Sequence, residues 1–285
     1  MPPFHESEKA HPRVSIVVLN WNGFQDTCEC VDSLRALTYP NFEVFIVDNA
    51  SSGDDAKRLS EKFGSFIRLK VNDANLGFSG GNNTAIRQIV AEGQSHYIVL
   101  LNNDTAVKEN FLTELVHSAQ THKNAAIFGP KAFFYSFKGR RNVICSTAGT
   151  INWYVSPGYF QKDKYKSDQE LNDSAPREAK WISGACMMID AKKIDPLLNE
   201  SYYFGCEDID KCLKAKVQGL TTLYVPTSII WHKVGASRPR ALRFKIREIL
   251  TSYKLMKYHN PAWLLATPSF FVSAVIKFLK KKVTS

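Results

Sequence analysis

The 285-residue chain lacks several features that would place it in a class at once. A membrane-crossing helix needs roughly 20 apolar residues. The longest such stretch, residues 262–276, is shorter and contains Pro268. Residues 1–13 carry Pro, Glu, His and Lys but no apolar run, so they do not read as a signal peptide. None of the six cysteines forms a CxxC pair, and no histidine follows at zinc-site spacing. A chain of this length has no need of disulfide staples, so the cysteines read as reduced thiols of a cytosolic protein. There is no GxGxxG after the first apolar run and no Gly-Lys-Ser/Thr, which argues against a dehydrogenase and a P-loop enzyme. A sugar nucleotidyltransferase would carry a Gly-rich loop with Arg and Lys after its first strand, and Asn20-Trp21-Asn22-Gly23 does not supply one. Internal repeats and low-complexity runs are also missing.

Acidic residues are scarce at one end. Between His232 and Ser285 stand 12 Lys or Arg and a single acid, Glu248, although the whole chain has 37 basic and 27 acidic residues. The body is therefore close to neutral, and the net charge of +10 resides in the tail. Such asymmetry points to an anionic partner, phospholipid surface or nucleic acid. The apolar run 262–276 between basic flanks favours lipid, and an amphipathic interfacial helix or hairpin is expected over 237–285. A helix packed on the body is the other reading. Aromatics Tyr253, Tyr258 and Trp263 among the charges keep a nucleic-acid-binding alternative open.

What is present is an alternation. Val14–Asn20 is a β-branched run that reads as a strand buried on both faces. A helical stripe through Cys28, Val31, Leu34 and Leu37 follows over 26–37. Strands are expected over 42–47, 66–71 and 97–101. Helices are expected over 54–63 (capped by Ser51, Ser52 or Asp54), from the glycines at 77–81 to about 90, and over 109–121, with another strand beginning at 126. Strands alternating with helices predict an α/β fold with a doubly wound, mostly parallel sheet. Ligands of such sheets collect outside the strands' carboxyl ends. The first, second and fourth strands end in Asn20, Asp48 and Asn102-Asn103-Asp104. Residues 135–180 read as short strands and a mobile loop, 181–190 as a further apolar segment, 204–217 as an acidic start to a helix, and 243 onward as mostly helical.

Four constellations could carry chemistry. Asp48 at a strand end can accept from a ribose or base N–H, or simply cap a turn. The loop Asn75-Leu76-Gly77-Phe78-Ser79-Gly80-Gly81-Asn82-Asn83 opens a helix whose N–H groups suit an anion, unless the glycines serve a turn of positive φ. Asn102-Asn103-Asp104 offers oxygens to Mg²⁺ or Mn²⁺, which take few protein ligands and share the rest with diphosphate and water. Glu207-Asp208-Ile209-Asp210 crowds three carboxylates. Mutual repulsion raises their proton affinity as a general base requires, though acids also favour a helix N-terminus. His232 after Trp231 is ambiguous alone.

Their order is specific. Residues 14–22 (VSIVVLNWN), 47–51 (VDNAS), 75–83 (NLGFSGGNN), 100–104 (LLNND), 181–188 (WISGACMM), 204–213 (FGCEDIDKCL) and Trp231-His232 resemble the inverting family 2 glycosyltransferases of the GT-A fold. The likeness is to the rhamnosyltransferase-like branch of bacterial surface-polysaccharide synthesis. It covers about residues 13–235 and implies a disordered 1–12, a catalytic domain 13–236 and the basic tail 237–285. The catalytic domain would comprise a nucleotide half, 13–104, and an acceptor half, 105–236. It further implies that Asn20, Asp48, Asn75, Gly77, Gly80, Asn82 and Asn103 line the donor site. Asp104 and His232 would hold Mg²⁺ or Mn²⁺, Asp208 would be the base with Glu207 beside it, and Trp181 and Gly184 would face the acceptor. Asn102 stands where the family's metal motif usually begins with Asp, leaving one anionic ligand fewer. The implied partners are a nucleotide-diphosphate-sugar, with dTDP-rhamnose the first candidate, a glycan or lipid-linked acceptor, and the inner face of the cell membrane. A basic-tailed nucleotide- or nucleic-acid-binding protein without transferase activity is the alternative.

Overall fold

The computed structural model describes residues 11–156, 158–161, 163–234 and 242–283. The expected disordered start (except residues 11 and 12) and the basic stretch around Arg238 and Arg240 lie outside the described residues. The first half is built from β1 (Val14–Asn20), α1 (Phe24–Leu34), β2 (Phe42–Asp48), α2 (Asp55–Phe63), β3 (Ile67–Val71), α3 (Gly77–Glu92) and β4 (Tyr97–Asn102). Then come β5 (Thr105–Val107), α4 (Phe111–Thr121), β6 (Ala125–Phe134), β7 (Ile144–Ser146), β8 (Gly149–Ile151) and β9 (Tyr159–Gln161). The remaining elements are α5 (Asp168–Leu171), β10 (Arg177–Glu178), β11 (Cys186–Asp190), α6 (Glu207–Val217), β12 (Thr221–His232), α7 (Leu242–His259) and α8 (Trp263–Val283).

The main sheet has the order β10-β12-β6-β11-β4-β1-β2-β3, with β5 on β12 and β7 on β6. β1 pairs in parallel with β2 and β4, β2 with β3, and β6 with β12. The fold is the expected α/β type. Within the sheet β11 departs from the parallel pattern, running antiparallel between β4 and β6, and β5, β7 and β10 add antiparallel pairs to β12 and β6. β1 and β4 are buried nearly throughout because both sheet faces are covered, which is what their unbroken apolar runs require. On one face pack Val31 and Leu34 of α1, Leu59 of α2, and Phe111 and Leu115 of α4. On the other pack Ile86 and Ile89 of α3, and Ile209 and Cys212 of α6. All six cysteines are free and buried.

The end of α1 differs from expectation for a local reason. α1 stops at Leu34, short of Leu37, because the amides of Ala36 and Leu37 bond three residues back and Thr38 N–H turns to the Glu109 carbonyl. Asp54 stands at the N-cap of α2 as allowed for, but its side chain makes no capping hydrogen bond. β12 contains Pro226, and the register with β6 shifts between Val225 and Ile229, so the missing N–H falls in an irregular stretch.

The tail is a helical hairpin whose inner face is docked. Leu255 belongs to the core shared with α3 and α6, while Met256, Ala266 and Phe270 form a small apolar cluster of their own. His259 Nε2 lies 2.8 Å from an Asp210 oxygen on α6. The expectation of a helix packed on the body holds for one face. The inner face packs on the body. The outer face leaves Leu264, Leu265, Phe271, Val272, Val275 and Ile276 exposed at helical spacing. No described helix is long and apolar enough to cross a membrane.

Candidate active site

Strand register assembles the donor side. Asn20 lies opposite Asp48, and Leu19 opposite Asn102, so the polar ends of β1, β2 and β4 are level. Asp48 is 2% exposed. It accepts from Asn20 Nδ2 at 2.7 Å, from the Ser51 amide at 2.9 Å and from Ser51 Oγ at 2.7 Å. Asn20 Oδ1 accepts from Thr27 Oγ1 at 2.7 Å, and Thr27 Oγ1 accepts from Asn103 Nδ2 at 3.0 Å. Asn20, Asp48 and Asn103 thus form one chain of hydrogen bonds. Thr27 on α1 is the link.

The Asn75–Asn83 segment is organised by Asn49. This buried amide donates to Asn75 Oδ1 at 3.0 Å and to the Gly77 carbonyl at 3.1 Å, and it accepts from Asn72 Nδ2 at 3.0 Å and the Leu76 amide at 3.1 Å. Gly77 has φ +72°, and a Cβ there would collide with the carbonyl and ring of Tyr203. The Gly77 N–H is taken by Asn75 Oδ1 and the Phe78 N–H by the Tyr203 carbonyl. The amides of Leu76, Gly77 and Phe78 are therefore spent within the protein. Gly77 closes a positive-φ turn against Tyr203, and these three amides are not available to an anion. Gly80 lies in the first turn of α3, and Asn82 spends its side-chain nitrogen on the Phe78 carbonyl of the same helix.

Asp104 and His232 are 128 residues apart and meet because β5 turns back onto β12, with Thr105 opposite His232. The Lys233 amide bonds the Asp104 carbonyl, and His232 Nε2 lies 3.1 Å from Asp104 Oδ1. Burial presses the imidazole toward its neutral form. The Asp104 carboxylate and the Cys145 side chain outweigh this and raise it to about 9. Lys233 is paired with Asp26 at 2.6 Å and Glu29 at 2.8 Å, which fixes the end of β12 on α1. No cluster of three His, Cys, Asp or Glu suited to a metal occurs among the described residues. One carboxylate and one imidazole nonetheless suit a hard divalent ion that takes its remaining oxygens from diphosphate and water.

The acidic motif enters α6 through two successive positive-φ residues, Gly205 (φ +89°) and Cys206 (φ +73°). Left-handed backbone at a non-glycine residue costs energy and persists where packing enforces it, and Cys206 is 3% exposed. Asp208 Oδ2 accepts from the Gly184 amide at 2.8 Å, and its Oδ1 accepts from the Ile209 amide at 2.8 Å. The next carbonyl, Ala185, accepts from the Asn102 amide at 2.9 Å. Two backbone links therefore run from Asp208 to the strand end that carries Asp104. Glu207 is buried beside Asp208. Trp181 is 6% exposed and its indole N–H is taken by the Thr150 carbonyl, so its ring seats the β8–β9 hairpin.

Sequence reasoning named no site role for Thr27, Asn49, Cys145 or Tyr203, and Ser51 was offered only as a helix cap. Asn49 and Ser51 lay within a quoted motif, and an amide beside a strand-end carboxylate was the available signal. Thr27, Cys145 and Tyr203 act through long-range packing and carried none.

The comparisons follow this geometry. The Glycosyl transferase family 2 profile matches residues 15–191, and the chain belongs to that family. It is 24% identical to the UDP-Glc:alpha-D-GlcNAc-diphosphoundecaprenol beta-1,3-glucosyltransferase WfaP of Escherichia coli, over 87% of this chain and 89% of that one. It is 21% identical to the N-acetylglucosaminyl-diphospho-decaprenol L-rhamnosyltransferase of Mycobacterium tuberculosis, over 73% and 72% respectively. A match to the protein y4gI of Sinorhizobium fredii, at 28% identity, covers 96% of this chain but only 31% of that protein, and the chain spans 18% of the Myxococcus xanthus protein RfbC. Among solved structures, GalNAc-T7 with UDP, GalNAc and Mn²⁺ superposes with TM-score 0.64 at 16% identity, over 84% of this chain and 48% of that one. The Pyrobaculum calidifontis mannosyltransferase PcManGT with GDP-Man and Mn²⁺ gives 0.59 at 14%, over 96% and 76%. These likenesses place the fold in the GT-A type.

Proposed function

We infer that the chain is a glycosyltransferase that moves a sugar from a nucleotide-diphosphate donor to a hydroxyl of a glycan or lipid-linked acceptor, with inversion. The observation that carries this reading is the pair of backbone links holding Asp208 against the strand end of Asp104 and His232. On this reading Asp208 is the base, and Asp104 with His232 is the pair that meets the diphosphate. Asp208 accepts the proton of the acceptor hydroxyl as that oxygen bonds the anomeric carbon. The bond from that carbon to the diphosphate breaks, and its electron pair leaves with the nucleotide. One base and no enzyme nucleophile make a single displacement, which inverts the centre, by the logic of inverting glycosidases. Asp48, with Asn20 and Ser51 behind it, faces the nucleoside, and Asn103 is held beside them. Mg²⁺ or Mn²⁺ held by Asp104 and His232 would supply positive charge to the diphosphate leaving group.

Rhamnose from a dTDP donor is supported by the branch likeness, and UDP-glucose by the likeness to WfaP. The exposed apolar stripe of α8, together with the absence of any acid after Glu248, supports a peripheral seat on an anionic membrane at its cytoplasmic face. Family membership disfavours the nucleic-acid-binding alternative. The test is release of nucleoside diphosphate from a panel of UDP-, GDP- and dTDP-sugars with Mn²⁺, with Mg²⁺, and after chelation. Metal-dependent release from one donor is expected. Silence across the panel together with no nucleotide binding by calorimetry refutes the reading.

A further inference from the structure

The segment 198–203, which leads into the acidic motif, is gripped on two sides. On one side stands α3 with the turn before it. Asn83 donates to the Leu198 carbonyl at 2.9 Å and accepts from the Leu198 amide at 2.8 Å. Ser79 Oγ donates to the Tyr202 carbonyl at 2.7 Å, and the Phe78 amide to the Tyr203 carbonyl at 2.8 Å. The Tyr203 hydroxyl donates to Asn75 Oδ1 at 3.0 Å. That same oxygen accepts the Gly77 amide at 2.9 Å and Asn49 Nδ2 at 3.0 Å. Asn49 follows Asp48 directly in the chain. Tyr203 therefore bonds the same atom as the neighbour of the carboxylate proposed to face the nucleoside.

On the other side stands α7. The Arg247 guanidinium lies 4.8 Å from the centre of the Tyr203 ring, and the Lys254 ammonium 5.0 Å from that of Tyr202. Lys254 Nζ also donates to the Ser201 carbonyl at 3.0 Å. Arg247 and Lys254 are seven residues apart, close to two turns of helix, so they share one face of α7. Tyr203 is 42% exposed, and its ring lies against the bare Cα of Gly77 as well as against Arg247. A cation over a ring face is attracted by the ring quadrupole. Arg247 thereby favours the one placement of this half-exposed ring in which its hydroxyl reaches Asn75. We propose that α7 is a positioning element for the turn at Asn75–Phe78. Arg247 and Lys254, acting through Tyr203 and Tyr202, hold Asn75 and Asn49 in the arrangement in which Asp48 meets the nucleoside. The link to the nucleoside rests on the transferase reading, whereas the hold on the turn does not.

The test uses the full chain and two readouts. One is hydrogen exchange at the amides of residues 75–83 without ligand, which reports local opening. The other is the Kd, by calorimetry with Mn²⁺, of whichever of UDP, GDP and dTDP the wild type binds. Arg247→Ala combined with Lys254→Ala should speed that exchange, and weaken the nucleotide, at least about fivefold, the product of two exposed cation–π contacts. Arg247→Lys combined with Lys254→Arg should keep both readouts within about twofold of wild type. In a Tyr203→Leu background Arg247→Ala should have no further effect, because the ring through which it acts is gone. Leu265→Asp, on the outer face of α8, should change neither readout. Unchanged exchange in the alanine pair, or an Arg247→Ala effect undiminished by Tyr203→Leu, overturns the proposal. Faster exchange with an unchanged Kd overturns the link to the nucleoside. A wild type that binds none of the three nucleotides sinks the transferase reading and that link together, and the exchange result then decides the hold on the turn by itself.

Discussion

Replacing Asp208 by asparagine separates catalysis from binding. Its two oxygens each accept one backbone N–H, from Gly184 and from Ile209, both at 2.8 Å. Asparagine retains one acceptor and turns its NH₂ toward a second donor in either orientation. One N–H is then left without a partner, at about 1–3 kcal/mol, and a melting temperature lower by roughly 2–4 °C per kcal/mol follows for a chain of this size. The chemical effect is larger. A lost general base costs about 10²- to 10⁴-fold in rate, or roughly 3–5 kcal/mol in the barrier. Initial rates with acceptor, donor titration by calorimetry and a thermal melt measure the three quantities separately. The expected pattern is kcat down by at least about 100-fold, with donor Kd within about threefold of wild type. A variant that keeps a tenth of its turnover removes Asp208 from the base role. A donor Kd that weakens in step with kcat moves it to the donor site.

Asp48→Ala removes the acceptor of the Ser51 N–H and the shortest of the Asn20 amide's hydrogen bonds. Donor KM should rise at least about tenfold with kcat changed less than about threefold, and the reverse split would contradict a nucleoside-binding role. Gly149→Ala drives a methyl into the Trp181 indole, and overpacking of this kind costs about 1–3 kcal/mol. A melt unchanged from wild type would show that the hairpin is not seated as described. For Asp210, burial acts to raise the carboxyl, but His259 and Lys214 outweigh it and hold it below the ordinary range. A folded value below the unfolded one gives stability that is present above the unfolded value, about pH 4, and is lost as pH falls through the folded value. Wild type should lose melting temperature below about pH 4 more steeply than Asp210→Asn, and identical acid limbs would refute the assignment.

The first half of the fold was legible because its signals are local. The β-branched runs ending in Asn20 and Asp48 can be buried on both faces only in a covered sheet, and turn and glycine signals fall between them. Beyond Asp104 the determinants are long-range. That His232 meets Asp104 depends on β5 reversing onto β12, a pairing set by shape rather than by residue type. The reversal of β11 was hidden for the same reason, since an apolar segment buried on both faces reads alike in either direction. The glycines at 77–81 were visible as a signal of unusual backbone. Of these only Gly77 has positive φ, and its partner Tyr203, 126 residues away, makes it the residue that closes the turn. The tail's charge was plain, whereas its docking through Ser252, Leu255 and His259 required the position of α6.

The docked tail bears on the chemistry through α6. Residues two apart on a helix are displaced by about 200° around its axis, so Asp208 and Asp210 face opposite sides of the same turn. Asp208 is held from the sheet side by Gly184, and Asp210 from the tail side by His259 at 2.8 Å. The turn between them begins at Cys206 with φ +73°. That conformation lasts only while its surroundings over-determine it. Loss of the tail-side clamp therefore relaxes the turn that carries Asp208, the proposed base. The same docking that turns the apolar stripe of α8 outward also clamps α6 from the side opposite Asp208. Damage to the Asp210–His259 contact should consequently appear in kcat as well as in stability, whereas changes on the outer face of α8 should leave kcat untouched.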